Sequence, residues 1–295
     1  ESYLVEWQRD YETDVKAITG QSTDIPLFTD QVSSHTGYGQ ATSFIPLAQL
    51  AATKNNPTKI FLVGPKYFLN YSDGAHLTNT SYRWLGEYYG KVMKTVLIDN
   101  VQWVPLMPKT INRVGNIIYA DFNVPAGSLQ FDTTTVSART NYGFEYSDSG
   151  SSAAITNVEL LDSDTVKVTL NQVPTGNNQK LAYAYTGTPN ATPGAQSAGS
   201  AAGNLRDTDA TVSQYGNTLY DWAVQFNEPV TTDTTAPIIS TISVNTLGTS
   251  NATISWTTNE ATTAQVEYGI SSAYTSSSTA NVALENSHSI TLTGL

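Results

Sequence analysis

Asp73 and His76 stand three residues apart in the segment Phe68-Leu69-Asn70-Tyr71-Ser72-Asp73-Gly74-Ala75-His76-Leu77-Thr78. A carboxylate beside an imidazole can orient the ring, fix its tautomer and stabilise its protonated form. The imidazole can then take a proton from a serine hydroxyl and return it to a leaving group. The plainer reading is a surface aspartate and a histidine at a helix start. Gly74 leaves room for a tight loop, and the Thr78 hydroxyl is suited to cap a following helix.

Other residues invite the same question. Ser22, in Gly20-Gln21-Ser22, has the look of a nucleophile turn, but it follows a helix and precedes a strand, the position of a connector. Ser2 falls inside the first helix. Gln31-Val32-Ser33-Ser34-His35 follows a strand end and is either a pocket wall or an ordinary polar loop. His288 sits in an alternating strand and reads as structural. Asp207-Thr208-Asp209 offers either oxygen ligands for Ca²⁺ or partners for Arg206, and pairing with Arg206 is the expectation. With three scattered histidines and no cysteine, the chain shows no metal-ligand spacing, and neither metal nor cofactor is expected.

The elements that must position Asp73 and His76 are legible from periodicity. Tyr3, Leu4, Trp7, Tyr11, Val15 and Ile18 recur at helical spacing over 2–18, and Gly20 stops that helix. Ile25-Pro26-Leu27-Phe28 reads as a strand, 44–52 as a helix, and Lys59-Ile60-Phe61-Leu62-Val63 as a buried parallel strand. Tyr82, Leu85, Tyr89, Val92, Met93 and Val96 share one face of a third helix. The order helix–strand–helix–strand–helix implies parallel α/β packing, with the Asp73–His76 loop past the carboxyl end of a strand, where such sheets bind ligands. From 101 to 230 the pattern changes to period two, as at Val166, Val168 and Leu170, with recurrent turn signals. The stretch 188–203 is low in complexity and reads as a loop. The aromatics Tyr142, Phe144, Tyr146, Tyr183, Tyr185 and Trp222 are either sugar-stacking surfaces or, the stronger reading, core and cross-strand partners. A linker at 231–237 leads into a Thr/Ser-rich stretch without Lys or Arg, again alternating.

The strand–loop–DGxHLT–helix order resembles the last conserved block of SGNH (GDSL-like) hydrolases, closest to the carbohydrate esterases related to sialate O-acetylesterases. The resemblance covers 1–100, the second half of such a domain, and implies a flavodoxin-like three-layer α/β fold in which Asp73 and His76 are the triad acid and base. The family's Gly-x-Ser turn and its Gly and Asn oxyanion donors are not found in the chain. The last module, with Ala252-Thr253-Ile254-Ser255-Trp256 and Ala264-Gln265-Val266-Glu267-Tyr268-Gly269, resembles a truncated fibronectin type III domain. The expected layout is therefore multidomain: a partial SGNH α/β domain at 1–100, a β-sandwich module at 101–230 and a second sandwich at 231–295.

A net charge of −11 over 295 residues argues against nucleic acid as a partner, and no apolar run reaches the length of a membrane span. What the resemblance implies is a secreted or cell-surface, bacterial or phage-associated serine esterase acting on acylated carbohydrate, O-acetyl esters above all. Its nucleophile would lie upstream of Glu1, and the 295 residues alone would be inactive. The alternative is a non-enzymatic extracellular binding protein on a degenerate hydrolase scaffold. Oligomeric state is not readable from the sequence.

Overall fold

Helix α1 (Ser2–Thr19) stops at Gly20, whose left-handed backbone (φ 71°) lets its N–H reach the Lys16 carbonyl. Its aromatic stripe faces outward: Tyr3, Trp7 and Tyr11 are exposed, while Gln8 and Glu12 are the buried side chains. The reason is an ionic latch. Glu12 accepts from Lys59 at 2.7 Å and Gln8 donates to the Ile25 carbonyl at 2.8 Å, tying the polar face to the strand start. In this computed structural model residues 1–150, 152–232 and 236–295 are described. The linker residues 233–235 lie outside them.

Strand β1 (Leu27–Gln31), helix α2 (Ile45–Asn55), strand β2 (Ile60–Pro65) and helix α3 (Asn79–Met93) follow. β1 and β2 pair in parallel, Leu27 opposite Ile60. The continuous apolar run of β2 is buried, as a strand covered on both faces must be. The expected flavodoxin-like three-layer domain is nevertheless absent. The parallel sheet has two strands, and the chain is mostly β-strands in several small sheets with three α-helices among the described residues. On β2 the Leu62 carbonyl is taken by the Trp103 indole N–H at 2.9 Å. Periodicity reads elements one at a time and says nothing about how many strands a sheet recruits.

The chain then turns to β-structure: β3 (Met107–Val114), β4 (Ile117–Asn123), β5 (Gln130–Phe131), β6 (Phe144–Ser149), β7 (Ile155–Leu160), β8 (Thr165–Leu170), β9 (Asn177–Tyr183), β10 (Leu205–Arg206), β11 (Phe226–Pro229) and β12 (Thr231–Thr232). A five-stranded sheet runs β12-β3-β4-β8-β7, antiparallel but for β12 on β3, and a three-stranded sheet runs β11-β9-β6. Ile118, Ala120 and Phe122 of β4 and Val166, Val168 and Leu170 of β8 are buried at period two. They belong to one hydrophobic cluster with Leu62, Phe68, Tyr183 and Phe226. Each large side chain so buried contributes about 1.5–3 kcal/mol. Tyr183 is its hinge. Its ring packs on Phe144 and Phe226 at 4.9 and 5.8 Å, and its hydroxyl accepts from the Leu205 N–H at 2.7 Å.

Two compact units result, Glu1–Asp233 and Thr234–Leu295. In the second, β13 (Ile239–Leu247), β14 (Asn251–Ala264) and β17 (Asn281–Thr293) form an antiparallel sheet, and β15 (Glu267–Tyr268) pairs with β16 (Ser276–Ser277). Trp256 stacks on His288 at 5.2 Å, and both are buried. No helix among the described residues is long and apolar enough to cross a membrane.

Candidate active site

Beyond β2, Tyr67, Phe68 and Leu69 are buried and fix the point where the chain leaves the core. Tyr67 donates its hydroxyl to the Ala223 carbonyl at 2.7 Å, and Phe68 stacks on Trp222. The loop from Asn70 then closes on itself: the Ser72 N–H donates to the His76 carbonyl at 2.8 Å and the Thr78 N–H to the Asn70 carbonyl at 3.0 Å. Thr78 caps α3, its hydroxyl accepting from the Ser81 N–H at 3.2 Å, as its sequence position implies.

Asp73 and His76 meet at the tip. Asp73 Oδ2 lies 2.9 Å from His76 Nδ1, and Oδ1 accepts from the backbone N–H of Ala75 and of His76, both at 2.7 Å. The two backbone N–H groups first, and the imidazole after them, hold the Asp73 carboxyl down to a pKa of about 2. An ionised carboxylate can only accept, so Nδ1 carries the proton in the neutral ring and Nε2 keeps its lone pair. Both side chains reach solvent, Asp73 at 55% and His76 at 71% exposure. Among the described residues the His76 ring has Asp73 as its hydrogen-bond partner and meets no serine hydroxyl; Ser72 Oγ donates to the His76 carbonyl instead.

A second loop braces the first. His35–Tyr38 forms a 3₁₀ turn after β1, and Gly37 crosses Gly74 backbone to backbone. A Cβ on Gly37 would fall on the Gly74 carbonyl oxygen and lie 2.9 Å from its carbonyl carbon and Cα. A Cβ on Gly74 would meet its nearest atom, Gly37 O, at an ordinary 3.5 Å. The turn is held in its own right. Gln31 Nε2 donates to the carbonyls of Pro46 and Gln225, Ser33 Oγ lies 3.3 Å from Gln225 Oε1, and His35 is buried, its pKa lowered by that burial. Segment 187–195 clamps it from outside: the Gly187 N–H donates to Ala41 O and the Asn190 N–H to Thr36 O, both at 2.8 Å.

The remaining sequence candidates separate from this place. Gly20 caps α1 and Ser22 lies on the exposed connector to β1, while Ser2 opens α1. His288 Nε2 is shared between the hydroxyls of Thr258 and Thr262 at 3.1 Å in the second unit. Arg206 does not pair with the carboxylate of Asp207 or Asp209; its Nε donates to Asp132 at 2.8 Å, and its guanidinium lies over the Tyr220 ring. Asp209 and Asp221 instead surround the Lys91 ammonium of α3, at 2.7 and 2.8 Å, on the wall of a cleft of about 890 Å³. This ionic corner is missed by sequence reasoning because Lys91 and its partners are more than a hundred residues apart. Phe144, Tyr183 and Trp222 are core side chains. No cluster of three or more metal-binding side chains occurs among the described residues.

No protein-family model matches the chain, and no curated protein matches it. Among solved structures it is similar to a carbohydrate acetylesterase from Xanthomonas citri, at 15% identity and a TM-score of 0.47, over 72% of this chain and 42% of that one. It is also similar to an S-layer protein, at 11% identity and a TM-score of 0.25, over 71% of this chain and 29% of that one. The chain spans less than half the length of either structure.

Proposed function

We propose that Asp73 and His76 are the acid–base pair of a serine-type ester hydrolase acting on acyl groups, O-acetyl above all, carried by carbohydrate. The observation that carries this reading is the 2.9 Å contact between Asp73 Oδ2 and His76 Nδ1 at the solvent-facing tip of a braced loop. A histidine so held presents an unprotonated Nε2 outward. Nε2 takes the proton from a serine Oγ as that oxygen bonds to the acyl carbon. It gives the proton to the sugar oxygen as the ester C–O bond breaks, and the cycle repeats with water to release the acid. Asp73 stays ionised throughout and stabilises the imidazolium. The serine and the oxyanion donors it works with lie outside these 295 residues. The Arg- and Lys-free second unit, resembling a fibronectin type III module, serves as a spacer of an extracellular protein.

The test is ester turnover by the purified chain and by the chain extended with the coding sequence upstream of Glu1. The 295 residues alone are expected to leave acetylated xylan and p-nitrophenyl acetate intact. The extended protein is expected to hydrolyse them, and to lose that activity in His76→Ala. An extended protein without turnover, or one indifferent to His76, sinks the assignment and leaves a binding protein on a hydrolase-like loop.

A further inference from the structure

Arg139 is a cation without an anion. Its guanidinium is half-buried, its Nε is enclosed without a hydrogen-bond partner, and no carboxylate lies within ion-pair distance among the described residues. One terminal nitrogen donates to the Ala195 carbonyl at 3.1 Å, which leaves most of its donors unused. An unpaired charge taken out of water is costly, and an anion brought to it from solution would offset that cost. The other half-buried or buried arginines of this unit are satisfied: Arg206 by Asp132, and Arg113 by Gln179 Oε1 and Thr232 Oγ1.

Arg139 lines a cleft of about 530 Å³, within the range of small-molecule sites. The adjoining rim is strained. Asn141, Tyr142 and Gly143 hold successive left-handed conformations at φ 50°, 56° and 95°, a run that asparagine tolerates and tyrosine resists. The surroundings enforce it. The Tyr142 ring stacks on Phe131 at 3.9 Å, the Asn204 N–H donates to the Tyr142 carbonyl at 3.0 Å, and a Cβ on Gly143 would lie 2.6 Å from Gly203 Cα. The lining also includes the hydroxyl-bearing residues Thr186, Thr188 and Ser200. The cleft's other charge, Glu145, is occupied, its Oε1 accepting from the N–H groups of Tyr185 and Thr186 at 3.3 and 2.8 Å.

We infer that this cleft binds a carboxylate-bearing sugar, a uronic-acid residue, with the Arg139 guanidinium holding the carboxylate and the surrounding hydroxyl and amide groups meeting the ring hydroxyls. A guanidinium matches a carboxylate in a two-pronged contact that no neutral sugar reproduces. The site is separate from Asp73 and His76 and does not depend on their being catalytic.

The test uses the full 295-residue chain and follows backbone amide resonances while glucuronate, its neutral amide glucuronamide, glucose or acetate is added. Glucuronate is expected to shift residues 139–146 and 186–200 saturably. The two neutral sugars and acetate should each bind at least tenfold more weakly, the first two lacking the charge and the last the hydroxyls. Arg139→Gln should lower glucuronate affinity at least tenfold, and Arg139→Lys should fall between. The comparison among ligands needs no variant, so it stands even if Arg139→Gln misfolds. Absence of a saturable shift with glucuronate, equal binding of glucuronamide, or unchanged binding in folded Arg139→Gln would overturn the site.

Discussion

Asp73 and Asp221 are the same side chain put to opposite uses. Asp73, at the tip of the loop past β2, is surrounded by donors and water, and its carboxyl is pulled down to about 2. Asp221, 4% exposed behind α3, is pushed up to about 8, first by burial and further by neighbouring Asp207. Lys91 opposes that rise, but its ammonium is shared with Asp209, whose own carboxyl is held low. Asp209 and Asp221 share the one ammonium, and the buried Asp221, with Asp207 alongside, is the one pushed up. The lesson is that a perturbed aspartate is not by itself an active-site marker. The more perturbed of the two is locked in a structural corner. The other lies at the loop tip, 2.9 Å from an imidazole that faces solvent.

The comparison breaks first at Lys91. Lys91→Ala strips Asp209 and Asp221 of the cation they share and should cost about 3–5 kcal/mol in denaturant unfolding. A loss under 1 kcal/mol would show that the acids around it do not depend on the ammonium. Next comes the brace on the other aspartate. Gly37→Ala forces the Gly74 peptide away and should cost about 1–3 kcal/mol, as overpacking does. It should also raise the Asp73 pKa toward the ordinary carboxylate range, seen by carboxyl NMR. Gly74→Ala, whose Cβ would touch Gly37 at no less than an ordinary 3.5 Å, is the control and should leave Asp73 where it is.

Asp221→Asn is milder and reads the pH axis. A carboxyl whose folded pKa is raised stabilises the fold fully below its unfolded pKa of about 4, and that contribution is lost as pH rises through the folded value. Wild type should therefore lose stability relative to Asp221→Asn between about pH 4 and pH 8. Melts at pH 5 and 8.5 on both proteins check this, and parallel pH curves would show that Asp221 is ionised in the fold. Asp73→Asn should change least in stability, since the loop tip is in water. Its effect is on the ring: nitrogen-15 NMR of His76 should show the Nδ1–H tautomer in wild type and a mixture in the variant. An unchanged tautomer would mean that Asp73 does not orient the imidazole.

What the sequence disclosed was local. The stop at Gly20, the buried run Ile60–Val63, the cap at Thr78 and the three-residue reach from Asp73 to His76 are all set within a few residues, and each is where its chemistry places it. What it hid was distant. Arg206 finds Asp132 across 74 positions, Lys91 finds Asp221 across 130, and Trp103 takes the Leu62 carbonyl. The three-layer expectation failed for the same reason, because element order does not say where a sheet ends. The outward aromatic stripe of α1 also defeats a periodicity argument, since Glu12 is drawn in by the two lysines that flank it.

The run of glycines and alanines at 187–203 has a consequence for anyone altering this protein. It reads as filler, yet a methyl group on Gly187 would collide with Thr36, one on Gly199 would press on Ala191, and one on Gly203 would enter the Tyr183 ring. Smallness there is a machining tolerance. A purification tag or flexible insert placed in this inviting stretch would unseat the turn beneath Gly74, whereas the exposed connector at 21–24 would absorb the same cargo without complaint.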